Sequence, residues 1–244
     1  MKRLSYMILS GILAASFLLS AGCAQEAPRE LTLNFDFNSG EQGWEAGFCD
    51  LPVDFNPEIY DLRSGLAALP PELGQQGQGF MISGSNRSDD LFMFIKKKLG
   101  KGDGIIPRQT YEIEFTVEIA SDAFAGGIGA GGAPGESVYV KVGAAGIEPM
   151  PVSKIQDGDP MLLLNIDKGT QSNEGPNAIV IGNVAKTDSS ETSDFAFKTL
   201  TSAGRKFSMK SDEEGNLWLF VGTDSAYEGV TTLYYTLVRV TVRR

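Results

Sequence analysis

Carboxylates are the most abundant side chains here that could carry out chemistry. The 244 residues contain 31 Asp and Glu against 21 Lys and Arg, and they contain no histidine. The absence of histidine excludes Ser-His-Asp triads, Cys-His dyads and imidazole metal sites. Glycoside hydrolysis needs only two carboxylates about 5–9.5 Å apart. However, Asp89 and Asp90 are adjacent, and neighbouring residues of a strand point to opposite faces. We therefore expect no catalytic residues and no enzyme, with a carboxylate-pair glycoside hydrolase as the least favoured alternative.

A calcium ion is the metal that these residue types would suit, because calcium prefers oxygen ligands. Several turns cluster carboxylates, and Asp224 and Glu228 flank one of them in the sequence. None of these turns matches the spacing of an EF-hand loop. The candidate ligands for a structural calcium ion are therefore Asp224 and Glu228. Acidic turns that keep a β surface soluble are the alternative, and we expect no other cofactor.

Aromatic rings beside polar side chains are the groups that would recognise a sugar, because a flat ring covers the apolar face of a pyranose. Trp44 belongs to the stretch in which the chain enters its first strands, and we expect it in the core. Tyr60 and Tyr227 occur in loop-like stretches, where we expect them to be exposed. The predicted ligand-binding residues are Tyr60, Asn86, Arg87, Asp89, Trp218 and Tyr227.

The glycine-rich stretch contains Gly127, Gly129 and Gly132 at the spacing of a dinucleotide-binding fingerprint. That motif requires a following helix whose N-terminus holds the pyrophosphate. Here residues 137–142 alternate as a strand does, so we expect a loop between strands instead. The acidic excess also argues against a nucleic-acid partner.

The apolar residues indicate strands throughout the chain. Residues 111–119 alternate without a break, with glutamates on the outer face, which is typical of a strand with one wet face. About a dozen short apolar runs follow one another between Gly, Asn, Asp and Pro turns. The prediction is an all-β fold, an antiparallel β-sandwich of jelly-roll type with roughly ten or more short strands in one domain, residues 31–244.

The N-terminus resembles the signal of a bacterial envelope lipoprotein. Lys2 and Arg3 precede an apolar run, and small residues stand directly before Cys23. This arrangement predicts a signal peptide over residues 1–22, lipidation (palmitate) of Cys23, and a short tether over residues 23–30. We expect a protein anchored by lipid to the bacterial cell envelope, in the outer membrane if the cell has two membranes. Cys49 then has no intrachain partner for a disulfide, and we expect a buried thiol.

Three motifs resemble the galactose-binding-like jelly rolls found among carbohydrate-binding modules. They are an entry strand that leads from residues 35–37 to Trp44, the segment 107–115, and the final strand over residues 233–240. The resemblance implies a non-catalytic, membrane-anchored protein that binds ligand, most simply carbohydrate. The alternative is a structural or protein–protein interaction component of the envelope.

Overall fold

A computed structural model of the chain describes residues 29–187 and 191–244. The predicted leader and the predicted lipidation site Cys23 lie outside these residues. The described residues form fifteen strands, which are β1 Glu30–Asp36, β2 Glu45–Cys49, β3 Leu51–Pro52, β4 Arg63–Ala68, β5 Gln78–Ser85, β6 Leu91–Leu99, β7 Thr110–Ser121, β8 Val138–Ala145, β9 Pro151–Gln156, β10 Asp159–Leu164, β11 Ala178–Asn183, β12 Ala196–Thr201, β13 Ser208–Lys210, β14 Leu217–Ser225 and β15 Val230–Arg243.

Two antiparallel sheets make up the body of the protein. The larger has seven strands, in the order β12-β7-β15-β5-β4, with β1 also paired to β15 and β13 to β7. The smaller has five strands, in the order β11-β8-β14-β6-β2. One large cluster of buried apolar side chains joins the inner faces of these sheets. The predicted all-β, antiparallel sandwich is confirmed.

Alternation along the strands explains how the core forms. In β7, Ile113, Phe115 and Val117 are fully buried, whereas Glu112 between two buried positions is exposed. The strand therefore has one apolar and one polar face, as its sequence predicts. Trp44 is buried and packs edge-on against Phe35, as expected.

A third sheet covers the outer face of the five-stranded sheet. It has the order β3-β10-β9, and it packs over a second apolar cluster formed by Cys49, Phe92, Phe94, Leu164, Ala178 and Phe220. Glycines on the five-stranded sheet make room for the rings. A Cβ at Gly143 would lie 2.2 Å from Cζ of Phe220, and one at Gly222 would lie 2.7 Å from Cζ of Phe92. Leu164, at the end of β10, anchors the hairpin β9–β10 to this face.

Helical structure is confined to single turns in the described residues. The α-helix α1, Pro57–Tyr60, is one turn long, and 3₁₀ turns occupy Phe37–Ser39, Pro71–Leu73 and Lys101–Asp103. Helix α1 begins where Asn56 accepts a hydrogen bond from the backbone N–H of Glu58 at 2.9 Å, a standard N-cap. None of the described residues belongs to a helix long and apolar enough to cross a membrane.

Candidate functional site

Four loops converge at one end of the sandwich. They are the β5–β6 loop (residues 86–90), the β7–β8 loop (122–137), the β10–β11 loop (165–177) and the β14–β15 loop (226–229). Asn86 ties two of these loops together. Its Nδ2 donates to the carbonyl oxygens of Ser225 and Tyr227, at 2.9 and 3.1 Å, and its backbone N–H donates to Gly229. These bonds fix the β5–β6 loop to the β14–β15 loop.

The glycine-rich β7–β8 loop joins the same end. The backbone N–H of Glu228 donates to Ala130 at 2.9 Å, and that of Ala226 donates to Ser137 at the same distance. A strand, β8, follows this loop rather than a helix, so the fingerprint spacing belongs to a connection between strands, as predicted. Its glycines serve packing, because a Cβ at Gly129 would lie 2.4 Å from the ring of Tyr227.

A cleft of about 440 Å³ opens beside these loops, between the β5–β6 loop, the hairpin β9–β10 and the β10–β11 loop, residues 165–177. Six aspartates, two lysines, two glutamines and two hydroxyl residues supply charge and hydrogen-bonding groups, and four apolar side chains supply apolar surface. The lining residues are Asp50, Ser88, Asp89, Asp90, Lys154, Gln156, Asp157, Asp159, Met161, Leu163, Leu164, Ile166, Asp167, Lys168, Gly169, Thr170 and Gln171.

A network of charged side chains lies in the wall of the cleft and directly behind it, and its centre is Asp224. This residue is fully buried on β14. Its Oδ2 accepts from Nζ of Lys141 and Nζ of Lys168, both at 2.7 Å, and from the backbone N–H of Gln171 at 3.0 Å. Nζ of Lys168 also lies 2.7 Å from Oδ2 of Asp50. Two buried ammonium groups thus join the five-stranded sheet to the β10–β11 loop.

Asp90 completes the network with a proton. Burial, followed by the negative charges of Asp224 and Asp50, raises the pKa of Asp90 to about 9. Burial acts the same way on Asp224, but the charges of Lys168 and Lys141 outweigh it and hold the pKa of that carboxyl below its ordinary value. The raised pKa of Asp90 and the lowered pKa of Asp224 therefore place the proton of this pair on Asp90 at neutral pH.

The oxygens of Asp50, Asp90 and Asp224 lie within 4.8 Å of one another, close enough to hold a metal ion such as calcium. Lys141 and Lys168 make metal binding at these aspartates unfavourable. Two ammonium groups and the proton of Asp90 balance three carboxyl groups, so the network is neutral without a metal. A divalent ion would also lie next to Lys168, at a large electrostatic cost in a buried site.

The sequence-predicted metal ligands occupy different environments. Asp224 is fully buried and paired with two lysines, whereas Glu228 is exposed on the β14–β15 loop. The three-carboxylate group in the described residues contains Asp50 and Asp90 beside Asp224, and it does not contain Glu228.

The predicted polar ligand residues fall in three environments. Asp89 is exposed and lines the cleft. Arg87 is exposed on the same loop but is not among the residues that line the cleft. Asn86 is only 1% exposed and uses its amide to hold the neighbouring loop, so its side chain is structural.

The predicted aromatic residues do not share one surface. The expected exposure of Tyr60 is wrong: it is 6% exposed, because α1 directs its ring onto Phe55 and the main core. Tyr227 is half-buried and lines a separate, smaller cavity of about 210 Å³. Trp218 is half-buried on the outer face of the five-stranded sheet, where the ammonium groups of Lys96 and Lys98 lie 5.5 and 5.9 Å from its ring. Trp218, Tyr227 and Tyr60 are all absent from the cleft lining.

Sequence reasoning missed Lys141, Lys168 and Asp50, and it considered Asp90 only as half of a catalytic pair with Asp89. A signal was present for Lys141, which is the single charged residue in the strand 138–145 and is fully buried. A lysine is almost never fully buried unless it is paired. The lone charge therefore indicated a buried partner, although the sequence did not indicate which one.

No protein-family model matches the chain, and no curated protein matches it. Solved structures similar to it include carbohydrate-binding modules. A CBM61 module in complex with β-1,4-galactotriose is 10% identical with a TM-score of 0.37, covering 84% of this chain and 92% of that one. The CBM22-1 xylan-binding domain of Paenibacillus barcinonensis Xyn10C is 12% identical with a TM-score of 0.39, covering 87% and 94%.

The enzymatically active domain of a bacteriophage CBA120 tailspike protein is also similar. It is 8% identical with a TM-score of 0.34, and the match covers 81% of this chain and 19% of that one. The β-sandwich assignment rests on the strand pairing described above, and the chemistry of the cleft rests on the residues that line it.

Proposed function

We propose that this protein is a non-catalytic ligand-binding domain that binds an oligosaccharide in the cleft. The observation that carries the proposal is the composition of the cleft wall. Exposed carboxylates such as Asp89 and Asp159 can accept hydrogen bonds from sugar hydroxyls, and Gln171 can donate one. Met161 and Leu163 offer apolar surface to the C–H face of a pyranose. A cavity of about 440 Å³ lies within the ~300–1,000 Å³ typical of small-ligand sites.

Rigid walls support the same proposal. Nε2 of Gln171 donates to the carbonyl oxygen of Asp89 at 3.3 Å, so two walls of the cleft are bonded to each other. The hairpin that forms the third wall is anchored at one end, where Leu164 of β10 is buried in the second apolar cluster. A preformed site reduces the entropy lost when a ligand binds.

An array of neutral, acidic and amino oligosaccharides, probed with the full chain in detergent, tests the proposed function. We expect retention of at least one class, followed by saturable binding in calorimetry. If no saccharide is retained and an envelope protein is captured instead, the domain is an interaction component. Ile155, which is 72% exposed on β9 at the edge of the third sheet, is the observation that favours that second candidate.

A carboxylate-pair hydrolase is favoured by one observation: Asp50 and Asp90 both line the cleft, with carboxylate oxygens within 4.8 Å of each other. Incubation of each retained saccharide with the protein tests this activity. We expect intact saccharide. Cleavage that is lost in Asp90→Asn would identify an enzyme.

Membrane anchoring is a separate part of the proposal, and it rests on the sequence around Cys23. We propose that lipid on Cys23 holds the domain at the bacterial envelope. Cys23→Ser should move the protein from the membrane fraction to the soluble fraction after cell disruption. Continued lipid labelling of that variant would contradict the proposal.

A further inference from the structure

Lys141 has a buried ammonium group whose three hydrogen bonds are all satisfied. Its side chain is fully buried on the outer face of β8. Nζ donates to Oδ2 of Asp224 at 2.7 Å and to the backbone carbonyl oxygens of Lys168 and Asn173, each at 3.0 Å. An ammonium group has three donors, and all three are used here.

Two of these acceptors belong to the β10–β11 loop, which forms one wall of the cleft. Lys168, Thr170 and Gln171 of this loop line the cleft, whereas Lys141 does not. Between the two carbonyl groups that Lys141 holds, the backbone N–H of Gln171 is bonded to Oδ2 of Asp224. The segment 168–173 is therefore attached at both ends and in the middle to one charged pair on the sheet.

The oxygens around Lys141 are of the kind that bind a calcium ion in ion-stabilised loops, namely loop carbonyls and a carboxylate. Here a primary ammonium attached to the sheet takes that place. We infer that Lys141 is the positioning residue of the cleft, an internal cation that holds segment 168–173 in the shape that receives the ligand. This inference rests on the proposed function only where ligand affinity is concerned.

The first test is hydrogen exchange of the full chain in detergent. Lys141→Ala should accelerate exchange of the amides of segment 168–173 by roughly tenfold or more, while the amides paired between β7 and β15 keep their protection. Lys198→Ala is the matched control. Nζ of Lys198 also donates to two oxygens, Oδ1 of Asn183 at the end of β11 and the carbonyl oxygen of Ala185 just after it, but Lys198 is not among the residues that line the cleft. We expect Lys198→Ala to leave segment 168–173 unchanged.

Chemical rescue separates a charge effect from a packing effect. Propylammonium replaces the atoms that Lys141→Ala removes, and it should restore protection of the segment. Neutral 1-propanol has a similar size and should not. Equal rescue by both compounds, or unchanged exchange in Lys141→Ala, would overturn the inference. If Lys141→Ala does not fold, Lys141→Met replaces it, because methionine keeps the apolar stem without the charge. Faster exchange of segment 168–173 in Lys141→Met would support the inference, and unchanged exchange would overturn it.

Ligand affinity tests whether the ordering of segment 168–173 by Lys141 matters for binding in the cleft. A saccharide bound by the wild type should bind roughly tenfold or more weakly to Lys141→Met, because the ligand must then order the loop. Faster exchange with unchanged affinity would overturn the positioning role. If the wild type binds no saccharide, the proposed function fails, and the exchange and rescue results still decide whether Lys141 orders the loop.

Discussion

Nζ of Lys141 and Oδ2 of Asp224 lie 2.7 Å apart, and both side chains are completely shielded from solvent. Burying an ion pair gives little net stability, because desolvation of the two charges offsets their attraction. Removing one partner is different, because the other charge stays buried without compensation. Asp224 is the position where substitution should destabilise the protein most, since Lys168 is also paired with its carboxylate.

Asp224→Asn should therefore destabilise the protein by about 3–5 kcal/mol, the usual cost of breaking a buried ion pair. Two ammonium groups would lose the same carboxylate. Urea denaturation of the variant and the wild type measures the difference in the free energy of unfolding. Asp54→Asn is the control, because Asp54 is exposed, and exposed substitutions usually change stability by less than ~0.5 kcal/mol. Equal stability of the two variants would contradict the network.

Asp90→Asn should change the dependence of stability on pH. The folded protein holds the proton of Asp90 up to pH about 9, whereas an unfolded chain releases it near pH ~4. The stability linked to this proton is complete below the unfolded pKa and is lost as the pH rises towards the folded pKa. Asparagine keeps a neutral hydrogen-bond donor, so the variant should lose less stability than the wild type over that range.

The free energy of unfolding, measured at several pH values between those limits, checks this prediction. The neighbouring carboxylate of Asp89 is exposed, so Asp89→Asn is the matched control and should retain the wild-type slope. An unchanged slope in Asp90→Asn would show that Asp90 holds no proton in the folded protein.

Calcium should leave the melting temperature unchanged. The two lysine ammonium groups and the proton of Asp90 already balance the three carboxyl groups at Asp50, Asp90 and Asp224. Differential scanning calorimetry with millimolar calcium and with EDTA measures the effect on the full chain. A rise in melting temperature with calcium, abolished in Asp224→Asn, would establish a metal site and contradict the neutral network.

The sequence predicts the sandwich well, because alternation in strands such as β7 directly reports which face is buried. It predicts the third sheet poorly. Residues 91–95 form a continuous apolar run that indicates burial on both faces, but the β10 partner for the outer face, Leu164, lies about seventy residues further along the chain. Nothing local in the sequence specifies that pairing.

The site was less predictable for a related reason. Asp89 was predicted as a ligand-binding residue because it lies in a polar loop, and the structure places it in the lining of the cleft. Tyr60 was misassigned, because a single helical turn buries a ring that looks loop-like in sequence. Lys141 and Asp224 are 83 positions apart and meet only because β8 and β14 pair in register. Long-range strand pairing of this kind creates the charged network, and no short sequence motif predicts such pairing.

Filling the cleft tests the proposed function most directly. Met161 lines the cleft on β10, whereas Ile155, on the adjacent strand β9, is exposed and does not line it. Isothermal titration calorimetry should compare the wild type, Met161→Trp and Ile155→Trp with the saccharide retained on the array. We expect Met161→Trp to weaken binding by roughly tenfold or more, about 1.4 kcal/mol, and Ile155→Trp to bind as the wild type does. Undiminished binding by a folded Met161→Trp would contradict the assignment of the cleft as the ligand site.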